Sequence, residues 1–299
     1  MKNLKKSFAL IFAAIGFASC NSDDNGNSYT YVPTNQSFRA LFDDARESRT
    51  QTATFDAETT LNFTSEKGVL LTIYGNCLRK NGNPVTGNVD LEFVEIFDGG
   101  NMLTTNKTTM GILPGGDKAM LVSGGAFYVN ATKNGQQLQI TCPVTLNIPT
   151  SLTEVGGDVG MTLWRGVEND NGDLAWEEED NPAGTNGGVF VEGQGPNATY
   201  YALLSNFGWT NVDRFYNDAG PKTTILVDVP NGYDNTNSAV YLHYDGEGNA
   251  LANLDTYDEN TGLFSEHYGF QARLKKLTGD QKTKFPWLDV CTLGQNIFT

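Results

Sequence analysis

Histidine, basic residues, cysteine and long apolar runs are all scarce in this 299-residue chain, and each shortage removes a class of function. There are two histidines, His243 and His267. The first falls in the alternating segment Val240-Tyr241-Leu242-His243-Tyr244, where a strand face accounts for it, and the second in the loop-like Ser265-Glu266-His267-Tyr268-Gly269. Neither accompanies a G-x-S-x-G elbow or an H-E-x-x-H pair, and the chain has no Walker loop and no G-x-G-x-x-G after a strand. Lys and Arg number 20 against 35 Asp and Glu, a formal net charge of −15 that repels phosphate backbones and makes nucleic acid a poor partner. The acid run Glu177-Glu178-Glu179-Asp180 reads as a solvated loop. Asn169-Asp170-Asn171-Gly172-Asp173 lacks the later acidic ligand of an EF-hand and reads as a turn. With no CxxC and no Cys/His cluster, no metal site and no cofactor are expected. The apolar run at 8–17 is about half the ~20 residues that a membrane-spanning helix needs.

What is present begins with that run. Lys2, Lys5 and Lys6 precede it, and the small residues Ala18 and Ser19 follow, the three parts of an export signal over residues 1–19. Phe17-Ala18-Ser19-Cys20 resembles the bacterial lipobox, with Phe17 where Leu is usual. The resemblance implies cleavage before Cys20, a diacylglycerol on its sulfur and an acyl chain on its new amino group. Each chain contributes roughly 0.8 kcal/mol per buried methylene, and stable anchoring takes more than one chain. The polar, acidic residues 20–35 read as a flexible tether, and Ser22-Asp23-Asp24 resembles the short export tag of Bacteroidota surface lipoproteins. The expected location is the outer membrane, lipid-anchored and facing the cell exterior. Loss of residues 1–19 removes three lysines and takes the net charge to about −18.

Beyond the tether the turn chemistry indicates an all-β fold. Asn-Gly pairs at 81–82, 134–135, 171–172, 186–187 and 231–232 are strong hairpin signals, because both residues accept positive φ. Strands are expected at 69–74, 89–93, 126–131, 144–148, 223–229 and 240–244, several with strict alternation. Helical spacing occurs at 36–46, with Phe38, Leu41, Phe42 and Ala45 on one face and Ser37 as N-cap, and in a short stretch at 270–277. The Gly-rich acidic stretch 178–198 is the expected boundary between two β-sandwich-like domains, 36–177 and 198–299. Cys77, Cys142 and Cys291 permit at most one internal disulfide, with three pairings open. At least two of them are expected to be small buried residues in strands.

The runs 68–73, 84–96, 99–103 and 121–129, followed by Phe207-Gly208-Trp209-Thr210-Asn211-Val212-Asp213-Arg214-Phe215, resemble a β-sandwich pattern of uncharacterised Bacteroidota surface lipoproteins. The pattern is distantly similar to the β-module of ankyrins and netrin receptors, and it implies a scaffold or interaction role without catalytic residues. Trp164, Trp176, Trp209 and Trp287, with Tyr200-Tyr201 and Tyr216, offer a flat aromatic surface for a sugar ring or a protein partner; of these, Trp164 and Trp209 are expected in the core, while Trp176 and Trp287 are the candidate ligand-binding aromatics. The expected function is therefore non-enzymatic: a lipid-anchored binding or scaffold protein, accessory to an outer-membrane complex, with the membrane and an outer-membrane protein or glycan as partners. A surface glycan-binding protein is the first alternative. A hydrolase using two carboxylates is the second, since such a pair leaves no local signature.

Overall fold

The computed structural model describes residues 32–153, 156–169, 172–180, 188–216, 224–244 and 249–266, with the backbone of 288–293 and 297–298. In chain order, helix α1 (Asn35–Glu47) leads to strands β1 (Gln51–Asp56), β2 (Thr60–Thr64), β3 (Leu70–Tyr74) and β4 (Asn88–Ile96). Helix α2 (Gly99–Thr104) and strands β5 (Met110–Ile112), β6 (Lys118–Lys133), β7 (Val144–Pro149), β8 (Thr162–Glu168) and β9 (Leu174–Glu178) follow. Then come β10 (Val189–Glu192), β11 (Thr199–Leu204), β12 (Gly208–Phe215), β13 (Ile225–Asp228), β14 (Ala239–Tyr244), β15 (Leu251–Asn253), β16 (Thr256–Asp258), β17 (Leu263–Glu266) and β18 (Leu288–Leu293). The chain is all-β, as its turn chemistry requires.

A large sheet runs β1-β4-β6-β12-β8-β9-β5, and a five-stranded sheet runs β10-β11-β7-β3-β2. They sandwich one apolar core that includes Leu71, Ile73, Phe93, Phe127, Leu146, Ile148, Tyr200 and Val212. The large sheet also closes on itself. β5 pairs antiparallel with the start of β6 (Met110 opposite Met120) and parallel with β9 (Gly111 opposite Trp176), so β6, β12, β8, β9 and β5 form a small barrel. The long β6 serves both structures because it bends. Opposite the step Asn211 to Asp213 it inserts one extra residue, at Gly124-Gly125, where a Cβ on Gly124 would lie 2.8 Å from the Val212 carbonyl oxygen and Gly125 has φ +126°.

Several expectations are corrected here. The stretch 178–198 is not a domain boundary: β10 lies within it, β11 and β12 lie beyond it, and together they complete both sheets of the sandwich begun at residue 51. The N-cap of α1 is Thr34, whose Oγ1 accepts from the Ser37 amide, so the tether ends before residue 35. Phe38 and Phe42 are buried, but Leu41 is 52% exposed. Helix α2 carries no amphipathic signal; its start is set by Asp98, which accepts from the Asn101 amide. Cys77 and Cys142 are half-buried and joined by a disulfide with a Cα–Cα distance of 5.6 Å, and so are not the small buried residues expected. The Asn-Gly turns at 81–82 and 134–135 have positive φ at both residues. The expected helix at 270–277, the Asn-Gly pair at 186–187, residue His267, and the signal, Cys20 and residues 21–31 of the tether lie outside the described residues.

The C-terminal strands form two further sheets, β13-β17-β16 and a sheet containing β15-β14-β18. They dock on the barrel through the buried polar loop that follows α2. Thr109 donates its amide to the Leu251 carbonyl at 2.8 Å and accepts from the Leu251 amide at its Oγ1, while Tyr241 Oη donates to Asn106 Oδ1 at 2.7 Å. Lys118 pairs with Asp255 across the same junction.

Candidate functional site

Of the aromatics proposed for ligand binding, Trp176 is a core residue. It is fully buried in the barrel and donates its indole N–H to the Thr108 carbonyl at 2.6 Å. Trp287 lies outside the described residues. Trp164 and Trp209 are buried as expected, at 1% and 8% exposure. Trp164 and Trp176 stand diagonal to each other across β8 and β9, with Gly166 directly opposite Trp176. Trp209 is flanked by cations: Lys107 Nζ lies 5.3 Å and Arg46 Cζ 5.9 Å from its ring centroid.

The barrel also holds a buried carboxylate. Asp213 and Asn211, neighbours on one face of β12, are both fully buried, and Asn211 donates its side-chain amide to Asp213 Oδ2. Ser123 donates to Asn211 Oδ1 at 3.1 Å, and Asp213 Oδ1 has no hydrogen-bond partner of ordinary geometry. Burial pushes the Asp213 carboxyl well above its usual range, against the opposing pull of Ser123, the Gly124 amide and Asn211. The other buried acid among the described residues, Glu95, accepts from Ser65 Oγ at 2.7 Å and from the Lys67 amide at 2.9 Å. It shares a face with Phe93 in the sandwich, whereas Asp213 lies opposite Val212, on the barrel side. The two buried acids thus project from opposite faces of one sheet, and a carboxylate pair for hydrolysis is not assembled from them. Among the described residues no group of three or more His, Cys, Asp and Glu is placed to hold a metal ion.

The site that the fold does build is the outer face of the five-stranded sheet. Its inner positions enter the sandwich core, so alternation turns Phe190, Tyr201, Leu203, Thr145, Asn147, Leu70, Thr72, Tyr74 and Asn62 outward. Register then places them in rows. Phe190, Tyr201, Asn147 and Leu70 stand side by side on β10, β11, β7 and β3, and Leu203, Thr145, Thr72 and Asn62 form the next row. Phe190 is 42% exposed, Leu203 36% and Tyr74 47%. At the centre, the Asn147 side chain is half-buried and its Oδ1 has no hydrogen-bond partner among the described residues. A hydrogen bond from the Tyr201 phenol to the Glu192 carboxylate raises the phenol pKa above its ordinary value, with the Glu192 charge adding to the effect. Glu192 is the single charged residue among the outward positions of these five strands, in a chain whose net charge is −15.

Of these face residues only Tyr201, in the Tyr200-Tyr201 pair, stands out in the sequence. Tyr200-Tyr201 and Leu203-Leu204 put an apolar side chain at both parities, so alternation does not say which of each pair is buried. Glu192 two residues after Phe190 is the one local sign that this parity meets water. No protein-family model matches the chain, and no curated protein matches it in sequence.

Proposed function

We propose that this chain is a non-enzymatic binding protein, exported and held at the outer membrane by lipid on Cys20, with the outer face of the five-stranded sheet as its contact surface. The observation that carries the reading is that face: ring-bearing, with one carboxylate in an otherwise strongly acidic chain, and with Phe190 and Leu203 exposed beside Tyr201 and Asn147, whose Oδ1 has no partner among the described residues. Export is supported by the Cys77–Cys142 disulfide, because such bonds persist in oxidising compartments. Tethering raises the concentration of a weak binding face near its target, so modest intrinsic affinity suffices for an accessory that collects ligand for an outer-membrane assembly.

The anchor is tested by Cys20→Ser. The substitution is expected to move the protein from the membrane pellet to the soluble fraction at unchanged thermal stability, and its retention in the pellet refutes lipid anchoring. Purification of the anchored protein from solubilised membranes tests the accessory role: a companion recovered in fixed ratio supports it, and recovery of the chain alone counts against it.

A further inference from the structure

We infer that the outer face of the five-stranded sheet is a platform for a neutral oligosaccharide, with Phe190 and Tyr201 as the stacking rings and Asn147 and Glu192 as the groups that read hydroxyls. The inference rests on the binding role proposed above and names its ligand class.

Four features lead to a sugar. The first is ring placement: Phe190 and Tyr201 are direct cross-strand partners, about 5 Å apart by strand spacing, and Leu203 continues the apolar strip one outward position along β11. A pyranose has an apolar face of C–H groups and an equator of hydroxyls, so it matches a flat strip of rings bordered by polar side chains. The second is the polar border. Glu192 is held beside the Tyr201 phenol, and Thr145 and Asn147 occupy the neighbouring strand, providing acceptors and donors without positive charge. The third is the unmet acceptor at Asn147 Oδ1. No hydrogen bond holds that half-buried amide among the described residues, so turning it toward a ligand hydroxyl breaks none.

The fourth is charge and size. With one carboxylate and no Lys or Arg among its outward strand positions, the face lacks the means to hold an anionic polymer or an acidic peptide. Five strands at ~4.8 Å spacing and about five residues at ~3.4 Å rise give a face of order 300–400 Å². That is about half of the ~800 Å² per partner that a standard protein interface covers. It suits two to four sugar units.

The test uses the full chain, purified in a detergent without a sugar headgroup, and isothermal titration with neutral hexasaccharides of glucose (β1,4, α1,4 and β1,3 linked), mannose and xylose. At least one is expected to bind with a Kd between roughly 10 µM and 1 mM. Phe190→Ala and Tyr201→Ala are each expected to weaken that binding about three- to tenfold, in line with ~0.5–1.5 kcal/mol for a stacked ring at 1.4 kcal/mol per decade. Asn147→Ala is expected to weaken it at unchanged melting temperature, and Leu41→Ala, an exposed residue on α1, to leave it intact. Absence of binding across the panel at millimolar ligand overturns the inference, as does binding insensitive to all three face substitutions. A photocrosslinker at position 201 that captures a membrane protein, with no sugar binding, overturns the glycan and leaves the anchored binding role standing. Retention of Cys20→Ser in the membrane strikes the anchor and leaves the glycan platform untouched.

Discussion

Asp213 is the residue whose environment departs furthest from what its side chain prefers. Full burial favours its neutral form, which suits a position where Asn211 and Ser123 are the nearest polar groups and one oxygen has no partner. The folded pKa therefore lies above the ordinary 3.8. Below that value Asp213 is protonated both folded and unfolded, so it adds no pH dependence. As pH rises toward the folded pKa the unfolded chain ionises first, and stability falls through that window. Asp213→Asn replaces the protonated acid by a neutral side chain of the same shape. Its melting temperature is expected to match the parent at pH values below 3.8 and to exceed it increasingly as pH rises above that, read from thermal melts at several pH values; a difference that does not vary with pH would contradict a raised Asp213 pKa. Asp213→Ala is expected to lose about 1–3 kcal/mol at acid pH, because Asn211 then keeps a buried donor with no acceptor, and the deficit is expected to shrink as pH rises and the parent alone loses stability. None of this is legible in the segment Thr210-Asn211-Val212-Asp213, which reads as an ordinary half-exposed strand until a barrel closes over its polar face.

At the scale of elements, the barrel depends on glycine where two tryptophans need room. A Cβ on Gly166 would stand 2.6 Å from Trp209 Cβ and 2.9 Å from Leu174 Cδ1, and one on Gly111 would stand 2.7 Å from Leu121 Cδ2. Gly166→Ala is thus expected to lower stability by about 1–3 kcal/mol through overpacking, measured by urea unfolding with tryptophan fluorescence. An unchanged midpoint would mean that β8 and β9 are less tightly apposed than described. The alternating stretches, residues 89–93 of β4 and all of β7, were readable because one face there is less buried than the other and takes polar residues. The start of β6 was not, since residues 120–127 are buried on both faces and carry no period-two signal. Helix α1 was readable from its apolar spacing, but its exposed Leu41 shows the limit of spacing alone. Phe38 and Phe42 join the core cluster of Trp164, Trp176 and Trp209, and Leu41 between them does not.

For the whole molecule, the two expected domains are interleaved. Strands β10, β11 and β12, from the C-terminal side of residue 188, complete the sandwich, and β14 and β15 pack on the barrel core through Ala239, Tyr241 and Leu251. A fragment 36–177 lacks edge strand β10 and the internal strands β11 and β12, and is expected to be insoluble or to show no cooperative melt by circular dichroism. A fragment 198–299 is expected to fare no better, and a folded, monomeric 36–177 would refute the interleaved topology. The sequence by itself determined the β class, the hairpin turns, the acidic surface and the expectation of a lipid-bearing N-terminus, because these rest on local chemistry: φ preference, alternation, charge count and a cleavage motif. Only the tertiary structure decided which Cys pair joins, which of Tyr200 and Tyr201 faces outward, that Trp176 lies inside, and that a ring-bearing face with a single charge exists. Each of those depends on which strands become neighbours, and the deciding partners stand well apart in the chain, 65 residues for Cys77 and Cys142 and several tens for Tyr201 with Asn147 and Trp176 with Gly111, so no segment's own composition sets them.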